Sequence, residues 1–160
     1  MPAATPEIDA VLAELAVVVD EARAARSRTG YFAALYQQVT VAVKAGVEEG
    51  LFDDGPRMSR FDARFARRYL GAAAAWKAGR PLARCWKVAF TAAARSDRLI
   101  LQHLLLGINA HINLDLAIAA AEVSPGRAIA GLEADFNRIN DVLAALSGPA
   151  QDVVARHSPL

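Results

Sequence analysis

A single cysteine, Cys85, stands in the 160 residues, which excludes an intrachain disulfide and a cysteine-rich zinc site. An excess of one charge sign is also missing. Eighteen Lys and Arg face 17 Asp and Glu, for a formal net charge of +1. That balance offers no electrostatic case for nucleic acid or for an anionic membrane. Only three histidines are present, too few for a trinuclear zinc cluster. There is no glycine-rich phosphate loop, GxSxG, HExxH or dinucleotide fingerprint. No stretch alternates apolar and polar residues in the manner of a strand. The opening MPAATPEIDA lacks the basic and apolar regions of a signal peptide, so a cytoplasmic protein is expected.

What is abundant is apolar and helix-forming. Hydrophobic residues make up 54% of the chain and charged ones 22%, with 36 alanines, enough for one folded domain with a closely packed core. Ile8, Val11, Leu12, Leu15, Val18 and Val19 repeat at helical spacing over about 7–28. Tyr31, Leu35, Val39, Val43 and Val47 do so over about 31–49, up to Gly50. FDDGPR, residues 52–57, reads as a turn. A third helix over about 59–78 carries Phe61, Phe65, Tyr69 and Trp76, and Gly79 and Pro81 end it. A fourth covers about 82–94. The fifth starts near Ser96 or Asp97, either of which can cap it, and runs to about Val123. SPG at 124–126 separates it from a last helix over about 127–146, ending before Gly148-Pro149. The fold class is all-α: one domain over residues 1–160, a bundle of about six helices around a central apolar helix at about 98–122.

That central helix carries one charge, Asp115, between residues 99 and 121. Its length could span a bilayer, but a central Asp costs roughly 2.5–3.5 kcal/mol on insertion scales. A helix apolar all round also suits the middle of a soluble bundle, so no membrane partner is expected. Its polar residues fall in two rows. At about 100° per residue, His103, Gly107, His111 and Asp115 lie at about 0°, 40°, 80° and 120°. Gln102, Asn109 and Asn113 lie on the opposite side, near 260°, 240° and 280°. Both rows then require internal partners.

The first row is the candidate catalytic site. His111 and Asp115, at i and i+4, can share a hydrogen bond or a metal ion. With His103 they are also the candidate ligands of one divalent metal. Gly107 leaves a gap between the two imidazoles. The competing reading is a buried hydrogen-bond network that fixes helix register. Asn109 and Asn113 could contact a substrate or bridge helices. Asp135 and Asn140 on the last helix are the candidates to face the row, with Asn137 exposed. Arg68 and Tyr69 could enter a pocket as an anion clamp among the core aromatics, and Trp86 could line it. Asp62, Arg64 and Arg67 read as a solvated helix face. His157, three residues from the end, reads as a surface residue.

YFAALYQQVTVAV, LFDDGPRMSRFDARFARRYLGA, CWKVAF, LQHLLLGINAHINLDLAIA and ADFNRINDVLAAL occur in this order. Together they resemble domain-of-unknown-function family 5995 over about residues 30–146. The LGxNAHINxDL block, Leu106 to Leu116 with His103 upstream, is the most specific element, followed by Phe65 to Tyr69 and Trp86. The resemblance implies a single unit and assigns no activity. Family members continue further past the last of these segments, so a second subunit, as a homodimer, could complete the bundle. AHINLD on a long helix is also similar to part of the zinc-dependent phospholipase C and P1-type nuclease fold. That likeness leaves room for one metal held by His103, His111, Asp115 and Asp135. The expected function is metal-assisted or general acid/base chemistry on a small apolar metabolite, a hydrolase or a cyclase or tailoring step. The alternative is a non-catalytic helical module that binds a small molecule or oligomerises.

Overall fold

The computed structural model describes residues 5–95, 97 and 99–157, with the backbone alone at 127 and 146–157. Six helices occur among the described residues: α1 Pro6–Ala24, α2 Gly30–Glu48, α3 Gly55–Lys77, α4 Arg84–Ala93, α5 Ile100–Val123 and α6 Glu133–His157. No strand occurs among the described residues. α1 packs on α2 and α3, α5 packs on α2, α3 and α4, and α6 reaches α2.

Most helix limits follow from local chemistry. α3 begins four residues earlier than the turn content of FDDGPR suggests. The Asp54 side chain accepts the Arg57 backbone N–H at 2.9 Å, and Pro56 sits in the first turn, where its missing N–H costs nothing. The segment expected to open the last helix is instead a 3₁₀ stretch, Gly126–Leu132, entered through Gly126 at φ 61°. At its other end α6 continues past Gly148-Pro149 to His157, beyond the expected stop. The Ser96 cap and the His157 side chain lie outside the described residues.

Two groups of buried side chains make the core. One gathers Leu15, Phe32, Tyr36, Tyr69, Trp86 and Phe90 from α1 to α4, with Leu104 and Ala110 of α5 closing it. The other joins Ile8, Val43, Phe52, Met58 and Phe61 to Leu132 and Ile139 at the far end. α5 packs along one side and is not enclosed all round as expected. Only a third of its most apolar window is buried. His103, Leu104, Gly107, Ala110, His111 and Asp115 face inward, while Leu101, Leu105 and Ile112 are 47%, 55% and 48% exposed. The helix therefore turns its polar row toward the core and an apolar stripe toward solvent. By length and composition alone it is apolar enough to cross a bilayer.

Gly107 marks where α5 meets α2. A Cβ there would lie 2.7 Å from Phe32 Cδ2 and 3.0 Å from Cγ. An aromatic ring, neither a helix backbone nor open space, fills the gap left by this glycine. Gly107→Ala must displace that ring, and overpacking of this kind costs about 1–3 kcal/mol. A thermal melt is expected to show the loss. An unchanged midpoint would mean that Phe32 can move freely.

Candidate functional site

Midway along α5 the backbone widens into a single π turn, His111–Asp115. Such turns interrupt α-helices frequently at functional positions. Here the turn carries both members of the predicted His/Asp pair, each almost fully buried. Asp115 accepts three side-chain donors. His111 Nδ1 lies 3.0 Å from Oδ2, Trp86 Nε1 donates to Oδ2 at 2.9 Å, and Arg68 Nε donates to Oδ1 at 3.1 Å. Burial pushes this carboxyl up, but His111, Trp86 and Arg68 outweigh it and hold it below the ordinary carboxylate range.

The state of His111 follows. An ionised carboxylate can only accept, so Nδ1 carries the proton. Burial pushes the imidazole below its ordinary value against the pull of Asp115, and Arg68 adds to the lowering. His111 is therefore neutral at pH 7, with its Nε2 lone pair turned away from Asp115. The ring stacks on Phe65 at 3.5 Å between centroids and 5° between planes. Tyr36 meets it edge-on at 4.6 Å, and Phe32 at 5.7 Å. Phe65 is itself only half-buried, so one side chain separates this imidazole from the outside.

A second set of polar groups occupies the same interior. Tyr36 and Thr40 on α2 and Ser59 and Asp62 on α3 are each at most 4% exposed. Tyr36 Oη, Thr40 Oγ1, Ser59 Oγ, Asp62 Oδ2 and His111 Nε2 have no hydrogen-bond partner among the described residues. Thr40 stands near enough to both Asp62 and Tyr36 to draw the proton affinity of each downward. Burial raises the Asp62 carboxyl to about 7, with Thr40 pulling slightly the other way. Burial, Asp62 and Asp115 together push the Tyr36 phenol well up, so Tyr36 feels both carboxylates. The two acids are thus driven apart, Asp115 ionised and Asp62 half-protonated near neutrality. This is the pattern that separates an acid from a base in one site.

The structure joins Arg68 and Trp86 to the His111–Asp115 pair, and Tyr69 packs 5.3 Å from Trp86 in the aromatic wall. Other expected members lie elsewhere. His103 is buried but stands two turns, about 12 Å along the axis, from His111. The expected metal set of His103, His111 and Asp115 does not converge. Among the described residues no group of three or more His, Cys, Asp or Glu side chains could hold a metal ion. Asp135 is fully buried in a different network. It accepts the backbone N–H groups of Asp53 and Asp54 at 2.7 and 3.1 Å and pairs with Arg57 and Arg138. It ties the turn before α3 to α6 and does not face the polar row. Asn140 is exposed, as is Asn137.

Asn109 and Asn113 are also exposed, joined to each other at 2.6 Å, and Gln102 accepts from the Leu99 N–H at 3.1 Å. The second row therefore meets solvent and bonds locally, contrary to the expectation of internal partners. Asp62, read with Arg64 and Arg67 as solvated, is buried, whereas the two arginines are exposed. Tyr36, Thr40 and Ser59 had not been singled out. Their signal was the spacing Tyr36–Thr40 on α2 and Ser59–Asp62–Phe65–Tyr69 on α3, both at helical period.

Among curated proteins and among solved structures, none matches the chain. Residues 8–160 match a family described as a family of unknown function, DUF5995. That span is wider than the 30–146 region carrying the quoted motifs, and it takes in α1 and all of α6. The π turn, the arginine and tryptophan that hold Asp115, and the Asp62 group all fall inside it, and the chain belongs to the DUF5995 family.

Proposed function

We propose that the interior polar group is a general acid/base site acting on a small, largely apolar metabolite. His111, oriented through Nδ1 by Asp115, accepts a proton at Nε2. Asp62, half-protonated near neutrality, supplies one, with Tyr36 and Thr40 between them. The observation that carries this reading is the convergence of unpartnered polar atoms from α2, α3 and α5 on one aromatic-walled interior. Leaving each unpaired costs about 1–3 kcal/mol, a burden commoner at functional sites than in packed cores. Phe65 acts as the cover, since it stacks on His111 and reaches the surface. The three donors on Asp115 favour a second reading, a structural network in a non-catalytic module.

Hydrolysis of 4-nitrophenyl acetate, a small apolar ester, separates the two. The Phe65→Ala variant is expected to hydrolyse it at least tenfold faster than Phe65→Ala/His111→Ala, with both variants folded by circular dichroism. Equal rates in the two would leave the structural network as the reading.

A further inference from the structure

An open groove lies between α4 and α5, lined by none of the residues around His111. It has a volume of about 880 Å³. Val88, Leu105 and Leu106 form its apolar surface, and Arg84, Lys87 and Arg95 stand along it. Among the described residues, three cations and no carboxylate line this groove, in a chain whose net charge is only +1. Arg95 is engaged by Asp97 at 2.6 and 2.9 Å. Arg84 and Lys87 are exposed and form no ion pair among the described residues. Val88 and Leu105 are 50% and 55% exposed, large apolar side chains open to water beside unmatched positive charge.

We infer that this groove binds the monomer of a single-chain anionic amphiphile, a long-chain carboxylate. Arg84 and Lys87 take the carboxylate, and Val88, Leu105 and Leu106 cover the alkyl chain. Dimensions agree. The lining runs along α4 from Arg84 to Ala92 and on to Arg95, beside about 15 Å of helix, and the volume falls in the usual range of small-molecule sites, about 300–1,000 Å³. The inference is independent of the acid/base reading, because none of these residues touches His111, Asp115 or Asp62.

Isothermal titration of the full chain with laurate below its micellar concentration tests it. Saturable binding near one to one is expected, at least tenfold tighter than methyl laurate. Binding should weaken at least tenfold in Arg84→Glu/Lys87→Glu and also in Leu105→Asp. All these positions are exposed, so a thermal melt should show the fold retained. Equal affinity for methyl laurate, or undiminished laurate binding by the charge-reversed variant, would overturn the inference. So would binding to phosphatidylglycerol vesicles without binding of monomeric laurate, which would instead make this face a membrane surface.

Discussion

Replacing Asp115 by alanine is expected to destabilise the protein by about 3–5 kcal/mol, because two buried donors lose their acceptor at about 1–3 kcal/mol each. The carboxylate is 1% exposed and receives His111, Trp86 and Arg68. Its removal leaves the indole N–H and the imidazole Nδ1–H buried without an acceptor, while Arg68, partly exposed, can turn to water. For a chain of this size the thermal midpoint should fall by about 6–20 °C. Asp115→Asn keeps one carbonyl oxygen as an acceptor and should lose less. A midpoint within about 2 °C of wild type, a loss of no more than about 1 kcal/mol for such a domain, would show that the pair is not buried as described.

Asp62→Asn is expected to act in the opposite direction. Burial raises this carboxyl from 3.8 to about 7, so between about pH 4 and 7 the folded state holds a proton that the unfolded state has released. Its stabilising contribution is complete below the unfolded value and is lost as pH rises through the folded one. Every tenfold difference in proton affinity between the two states is worth about 1.4 kcal/mol. Asparagine is uncharged at every pH, so the variant should gain on wild type by about 3 kcal/mol between pH 5 and pH 8. Urea unfolding of both proteins at the two pH values reads this difference directly. Asp115 and Asp135 are held low, against the effect of burial, by the donors around them. Their contributions vanish as pH falls, so they cannot mimic the Asp62 effect. A constant difference across the range would show that Asp62 ionises as a solvated carboxylate does.

The His111–Asp115 pair was legible because i,i+4 spacing on an apolar helix leaves few other partners. The π turn that carries it has no sequence signature. Burial of Asp62 was hidden by its neighbours. Arg60, Arg64 and Arg67 surround it in sequence, so the segment reads as a charged face, although Ser59, Asp62 and Tyr69 lie on its inward side. On α2 the apolar residues Leu35 and Val39 drew attention to a flank of the buried face, which centres on Phe32, Tyr36, Thr40 and Val43. The apolar run of α5 suggested enclosure, but exposed Leu101, Leu105 and Ile112 show that apolar character alone does not decide burial. Asp135 was expected to face the polar row and is instead buried in another network. Three donors in and beside the turn before α3, with Arg138 of its own helix, claim it first, and only the assembled helices bring that turn against α6.

His111 is neutral, protonated on Nδ1 toward Asp115, with a bare Nε2 facing the interior. Nitrogen-15 spectra of the imidazoles, assigned through His111→Gln, report protonation at each ring nitrogen across pH. At pH 7 the His111 signals should show Nδ1 bearing hydrogen and Nε2 bearing none. They should stay so as pH falls through the range where an ordinary histidine becomes charged, near 6.5. An Nε2–H tautomer, or a doubly protonated ring at pH 7, would contradict the claim and remove the base from the site.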